Sequence, residues 1–325
     1  MILMLTIDEL VQKARGFQES RILLTALELD LFTAVGRGGS AVEIARKLGT
    51  DPRATEMLLN ALAAIGALLK TGDQFRNTPE TARHLAAGSP EYAQPGLLHT
   101  VHLWDSWSTL TEAVRKGSAV TEPGLETRDA GWREAFIAAM HRNAATHARR
   151  MVQIVPAKSS RRMLDIGGGS GAYSIAFAQA VPELTAEVFD LEAVVPIAGR
   201  HIREAGLEQR VRTRTGDLRR DEFGAGYDLL LLSAICHMLS PEENADLLRR
   251  CYQAAAPGGM LVIRDFILEE DRTAPKDAAL FAINMLVATR GGSSYTEGEY
   301  FDWLKQAGYT TVERLAADVI AGKRA

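Results

Sequence analysis

Apolar residues recur at helical spacing through the first hundred positions, whereas past residue 160 short apolar runs alternate with helical stretches. Thr6-Ile7-Asp8-Glu9 has the capping-box spacing that opens a helix. Leu23, Leu24, Leu27, Leu31 and Phe32 make one helical stripe over residues 20–35. Asp51-Pro52 starts another helix, with Met57, Leu58, Ala61, Leu62 and Ile65 on one face. Residues 68–76 read as two short strands around Gly72-Asp73, and Thr78-Pro79-Glu80 opens a further helix. Helices followed by a small hairpin predict a winged helix over residues 1–100. Residues 101–157 read as more helix, rich in Trp104, Trp107, Trp132, Phe136, Met140 and Met151. Ordinary core packing accounts for such residues; a helical lid over the second half, making an apolar pocket, is the alternative.

Residues 158–325 predict a doubly wound α/β sheet. Strands are expected at 163–166, 185–189, 211–215, 227–234 and 260–264, with a closing pair at 311–315 and 319–321. The run Leu229-Leu230-Leu231-Leu232 suits a strand buried on both faces.

Composition narrows this picture without changing it. The chain has 325 residues, 46% of them hydrophobic and 24% charged, which suits one large or two ordinary globular domains. A net charge of -4 gives no general attraction to nucleic acid or anionic membrane. Residues 1–100 hold 10 Lys or Arg against 11 Asp or Glu, too little positive charge for a winged helix that reads DNA. Burial of apolar helix faces by dimerisation fits that domain better. Two cysteines, Cys236 and Cys251, make no disulfide framework and point to a reducing cytoplasm. Met1–Leu5 is too short and lacks the basic flank of a signal peptide, and no run reaches membrane-spanning length.

The candidate chemistry begins at Asp165-Ile166-Gly167-Gly168-Gly169-Ser170-Gly171, where a strand ends in an acid and a glycine turn leads to a helix. The spacing is Gly-x-Gly-x-Gly, not the Gly-x-Gly-x-x-Gly of a dinucleotide site. It resembles the loop of S-adenosylmethionine (SAM)-dependent methyltransferases, whose cofactor carries a cationic amino-acid end that an acid favours. Asp190 stands 25 residues after Asp165 at the next strand tip, where a carboxylate can accept from ribose hydroxyls. Asp217, at the third tip, is placed to accept from the adenine amino group, with Leu218 against the ring. Any one of these acids could be a solvated strand end; three successive tips after a glycine loop argue for a nucleoside site.

His237 follows the fourth strand, and Ser240-Pro241-Glu242-Glu243 then caps a new helix. A loop histidine at the cofactor edge can take a proton from a hydroxyl as the methyl group moves. Asp265, ending the fifth strand, could hold the imidazole in one orientation, as the acid of a hydrolase triad does. The plain alternatives are a surface histidine and one more strand-tip carboxylate.

With these residues in hand, the chain resembles the SAM-dependent O-methyltransferases that include plant caffeate and flavonoid enzymes, acetylserotonin methyltransferase and bacterial polyketide-tailoring enzymes. The matching pieces run along nearly the whole chain: Asp165–Gly171, Phe189-Asp190-Leu191, Gly216-Asp217-Leu218, Ile235-Cys236-His237 and Gly291-Gly292. The resemblance implies a Rossmann-like class I methyltransferase domain and an all-helical N-terminal winged-helix dimerisation domain whose wing is the hairpin. It implies a homodimer, SAM as cofactor and S-adenosylhomocysteine as product. The cofactor residues would be Asp165, Gly167, Gly169, Asp190, Leu191, Asp217, Leu218 and Ser233. His237 would be the base, Asp265 its orienting acid, and Phe136, Met140 and Met285 the acceptor-lining residues.

Three departures from the plant pattern stand out. Met238-Leu239-Ser240-Pro241 replaces Asp-Trp-Ser-Asp, Ser233 stands where a lysine is common, and Ser294 occupies the place of a second orienting acid, with Glu297 nearby but out of step. His99, His102 and Asp105 share a helical face at metal-like spacing, but nothing else supports a metal. His141 and His147 lie in the linker, where they could touch substrate. The competing functions are a relative that binds SAM without transferring methyl and a SAM-responsive DNA-binding regulator.

Overall fold

A computed structural model of the protein describes residues 4–121 and 130–325, with backbone alone at 130, 133–135, 138 and 143. Met1, Ile2 and Leu3 of the apolar start lie outside the described residues. The chain divides into two compact units, one of residues 1–104 with 130–139, the other of 105–129 with 140–325.

The first unit is built from α1 (Ile7–Arg15), α2 (Phe17–Glu28), α3 (Leu31–Val35), β1 (Gly39–Ser40), α4 (Ala41–Leu48), α5 (Pro52–Ala64), β2 (Leu68–Thr71), β3 (Gln74–Asn77) and α6 (Pro79–His84). The Thr6–Glu9 capping box forms as its spacing predicts, and so does the hairpin of β2 and β3. A two-residue strand, β1, which the apolar pattern does not foretell, pairs with β3 and makes the sheet three-stranded. The single stripe expected over residues 20–35 is broken. Asp30 takes the left-handed conformation (φ 51°), so α2 stops and α3 starts afresh. Leu24, Leu27, Leu31 and Phe32 still enter one core, while Leu23 is exposed. On α5 the buried face is Thr55, Leu59 and Leu62, and Met57 and Ile65 face outward. Arg53, Glu56 and Asn60 share the exposed face of that helix, and its inner face is turned from the expected one so that Thr55 and Leu59 enter the core beside Leu62. Helix α1 buries none of its residues, and Ile7, Leu10, Val11 and Phe17 are exposed.

Three helices follow: α7 (Gln94–Ser108), α8 (Leu110–Lys116) and α9 (Ala130–Ile154). In the first unit His99, Trp132 and Phe136 form an aromatic group, with Phe136 5.2 Å from Trp132 and 5.1 Å from His99. From Met140 onward α9 belongs to the second unit.

The second unit continues as β4 (Arg162–Ile166), α10 (Ala172–Ala180), β5 (Thr185–Asp190), α11 (Val195–Glu204), β6 (Val211–Thr215), β7 (Tyr227–Ser233), α12 (Pro241–Ala254), β8 (Ala255–Arg264), α13 (Lys276–Ala288), α14 (Glu297–Ala307), β9 (Thr311–Ala316) and β10 (Val319–Lys323). The sheet order is β6-β5-β4-β7-β8-β10-β9, with β4 to β8 parallel and the last pair antiparallel. The leucine run of β7 divides by parity. Leu230 and Leu232 join the core under α12 and α14, whereas Leu229 and Leu231 join the core under α9, α10 and α11. A strand covered on both faces cannot alternate apolar with polar residues. The chain leaves β4 toward β5 and β6, then returns to β7 on its other side, so β4 and β7 flank the crevice at the switch point.

Replacing Leu230 (0% exposed) with Ala should cost about 2–5 kcal/mol. A lowered midpoint in urea unfolding with an unchanged slope would report that loss.

Candidate active site

The loop from Gly167 to Gly171 leaves β4 at that crevice. Gly167 and Gly169 both have positive φ (67° and 57°). A Cβ on Gly167 would strike the Ile235 side chain, whereas the space beside Gly169 is open. Gly169 N–H donates to Asp190 Oδ2 at 2.8 Å, and Leu191 N–H donates to Oδ1 of the same carboxylate at 2.8 Å. Asp190 is thereby fixed at the loop, and burial raises its pKa. Leu218 Cδ2 lies 3.5 Å from where a Gly167 Cβ would stand. Asp190 thus bonds Gly169 and Leu191, and Leu218 and Ile235 lie beside Gly167.

Asp165 lies against the same loop, with its Cγ 2.8 Å from where a Gly168 Cβ would stand. It is 1% exposed and accepts a hydrogen bond from Ser174 Oγ at 2.8 Å. Burial pushes its pKa up to about 7. Asp217 serves its own turn, accepting from Arg219 N–H at 2.9 Å and lying 3.4 Å from Arg220 Nε. Ser233 ends β7 and is half-buried.

His237 lies on a short 3-10 turn, Cys236–Met238, immediately past β7. Ala234 between them takes a left-handed conformation (φ 59°), a strained one for alanine, and reverses the chain. The turn is held from below. Asn244 Nδ2 donates to Cys236 O (2.9 Å) and Leu239 O (3.3 Å), and Tyr295 OH donates to Leu239 O. His237 is 6% exposed, so it is not a surface residue. Its Nδ1 is 2.6 Å from Asp265 Oδ1, and its backbone N–H donates to Oδ2 at 3.1 Å. Phe266 N–H also donates to Asp265 Oδ1, at 2.8 Å. Burial alone would raise the Asp265 pKa, but His237 and these donors hold it below the ordinary carboxylate range. The imidazole is walled by Phe281, 4.8 Å away edge to face, which itself stacks on Phe266 at 3.8 Å.

Met285 is buried one turn beyond Phe281 on α13, and Met140 is half-buried on α9. Ser294 and Glu297 are engaged elsewhere: Ser294 Oγ donates to Ala278 O at 2.8 Å, and Glu297 pairs with Arg314 at 3.0 Å. Among the described residues, no group of three or more His, Cys, Asp or Glu is set to hold a metal. Sequence reasoning overlooked Phe281, Asn244 and Tyr295. Phe281 could have been found from the α13 stripe Ala278, Phe281, Met285; the other two act through contacts distant in sequence.

The buried Asp165 carries a pH-dependent cost. Its pKa is raised from 3.8 to about 7, so the folded protein binds a proton that the unfolded chain releases. Stability is therefore fullest below the unfolded pKa and declines as pH rises toward the folded one. Asp165→Asn should raise the melting temperature of the ligand-free protein at pH 8 by roughly 2–4 °C per kcal/mol relieved. The gap to the parent should close near pH 4, as scanning calorimetry across that range would show.

The O-methyltransferase domain family matches residues 107–310, and the O-methyltransferase dimerisation domain matches residues 11–87. The chain is 34% identical to 3-hydroxy-5-methyl-1-naphthoate 3-O-methyltransferase of Streptomyces sahachiroi, over 97% of this chain and 95% of that one. A solved structure of PigF with S-adenosylhomocysteine superposes with a TM-score of 0.90 at 26% identity, covering 98% of this chain and 100% of that one. Human N-acetylserotonin methyltransferase in complex with SAM superposes at 0.83 with 25% identity, covering 100% and 99%. With its dimerisation domain, its switch-point glycine loop and its seven-stranded sheet, the chain belongs to the SAM-dependent O-methyltransferase family.

Proposed function

We propose that this enzyme methylates a hydroxyl group of a small aromatic metabolite, with His237 as general base and Asp265 as its orienting acid. The observation that carries the reading is the 2.6 Å contact between His237 Nδ1 and a buried Asp265 that stays ionised. With Nδ1 committed to the carboxylate, Nε2 is the ring nitrogen left to accept a proton from the acceptor hydroxyl. Asp265 balances the charge of the imidazolium that results and keeps the ring from turning. The apolar wall of Phe281, Phe266 and Met285 suits a planar ring, and Phe136 and Met140 are the further residues assigned to it. The naphthoate acceptor of the Streptomyces relative belongs to the same chemical class.

The residues of the crevice suit the family's cofactor. Asp165, Gly167, Gly169, Asp190, Leu191, Asp217, Leu218 and Ser233 are assigned to it. The opening beside Gly169 leaves room for a ligand, and a cationic group near the buried Asp165 would relieve the cost of ionising it. When bound, SAM supplies a methyl group already activated by its positive sulfur. Asp190 contributes an anchored carboxylate for hydroxyl donors. The protein's main task is then to hold the two reactants in line.

The domain organisation assigned is a dimerisation domain over residues 1–100, a helical linker over 101–157 and a methyltransferase domain over 158–325. The exposed apolar residues of α1 support a homodimer formed through the first of these. The even charge of residues 1–100 argues against nucleic acid as a partner. No helix among the described residues is long and apolar enough to cross a membrane. Two buried free thiols are at home in a reducing cytoplasm.

His237→Ala should lower kcat by about 10²–10⁴, with S-adenosylhomocysteine affinity held within about twofold. Assaying hydroxylated aromatic acids by mass spectrometry for a methylated product supplies the readout; undiminished turnover removes His237 as the base. Phe17→Glu, on the open face after α1, should shift the protein toward monomer in light scattering.

A further inference from the structure

Two imidazoles that methyl transfer leaves unused stand beside the glycine loop. His141 of α9 and His201 of α11 lie face to face, with centroids 4.2 Å apart and planes within 5° of parallel. His141 Nδ1 is 2.8 Å from Ser170 Oγ, and His201 Nδ1 is 3.3 Å from Glu204. Ser170 is 3% exposed and carries the one side chain of the Gly167–Gly171 loop. Four glycines give that loop unusual conformational freedom when nothing holds it. Its backbone is pinned at Gly167, whose N–H donates to Phe189 O at 2.8 Å, and at Gly169 through Asp190. Gly171 N–H closes the turn onto Gly168 O at 2.9 Å, and among the described residues the side-chain contact to the half of the loop running into α10 is the one at Ser170. His141 also follows Met140, so the same turn of α9 bears the assigned acceptor-lining residue and the loop tether. Burial and the neighbouring His201 hold the His141 pKa below its ordinary value, which keeps the ring neutral near pH 7.

We propose that His141 is a positioning residue for cofactor binding, which preorganises the glycine loop by hydrogen-bonding Ser170 while its ring is seated on His201. This deepens the reading that SAM lies on that loop. A loop fixed before the ligand arrives loses less conformational entropy on binding, so the tether appears as affinity. Because α9 supplies it, the tether also ties the acceptor side of the crevice to the cofactor side.

The test is calorimetric titration of the full-length protein with S-adenosylhomocysteine, alongside the melting temperature of the ligand-free protein. His141→Phe keeps a ring on His201 but loses the hydrogen bond. His141→Gln keeps a hydrogen-bonding group but loses the ring. Ser170→Ala removes the tether from the loop side. The Phe and Ala variants should each raise Kd about threefold to tenfold, with no further loss when combined, and the Gln variant should stay within about twofold of the parent. Unchanged Kd in both Ser170→Ala and His141→Phe overturns the proposal, even if the melting temperature falls. So does an additive double variant, or a Gln variant as weak as the Phe variant. Asp190→Ala serves as the control for the underlying reading. If it too leaves binding unchanged, the loop is not the cofactor site; if it alone abolishes binding, the loop stands and only the role of His141 falls.

Discussion

The burial of β4 and β7 on both faces constrains everything else in the methyltransferase unit. Helices cover these strands above and below, so Leu230 and Leu232 fill one core while Leu229 and Leu231 fill the other. Polar side chains along them have partners of their own, as Asp165 has Ser174 and Asp228 has the backbone N–H groups of Arg161 and Arg162. Polar chemistry is displaced to the strand tips, where the chain turns and water or ligand can reach it. The switch in strand order between β4 and β7 opens the crevice at that same edge. One constraint, two-sided burial of a parallel sheet, therefore selects both the apolar strands and the position of the glycine loop.

The site balances two opposite treatments of buried carboxylates. Asp165 has one side-chain donor, and burial wins, so its pKa rises to about 7. Asp265 is equally enclosed but is met by His237 through ring and backbone and by Phe266 N–H, and its pKa is lowered. The first acid is responsive to a cation arriving nearby. The second is already compensated by its hydrogen bonds. Environment alone separates them, since the side chains are the same.

Much of the site was legible because the chemistry sits at strand ends. Asp165, Asp190 and Asp265 each follow an apolar run, and the glycine spacing after Asp165 marks the turn. The histidine was legible as a position but not as an environment. A loop residue after a strand suggests exposure, yet a left-handed Ala234 folds His237 inward against Asp265 and Phe281. The departures from the plant pattern also acquire a physical meaning. Ser294 is turned toward the Ala278 carbonyl and Glu297 toward Arg314, which leaves an aromatic wall beside the imidazole.

Local order was fixed by the sequence itself. Capping boxes, the Gly-Asp hairpin and parity along the strands act over a few residues, and their energetics do not await the rest of the chain. The tertiary structure decided what depends on distant partners. Which face of α5 turns inward, where α2 breaks, which histidines are buried and which serines are spoken for are settled by neighbours many residues away. A wide apolar stripe can turn by a residue or two and a polar side chain can accept several partners, so periodicity and spacing leave these open until packing chooses.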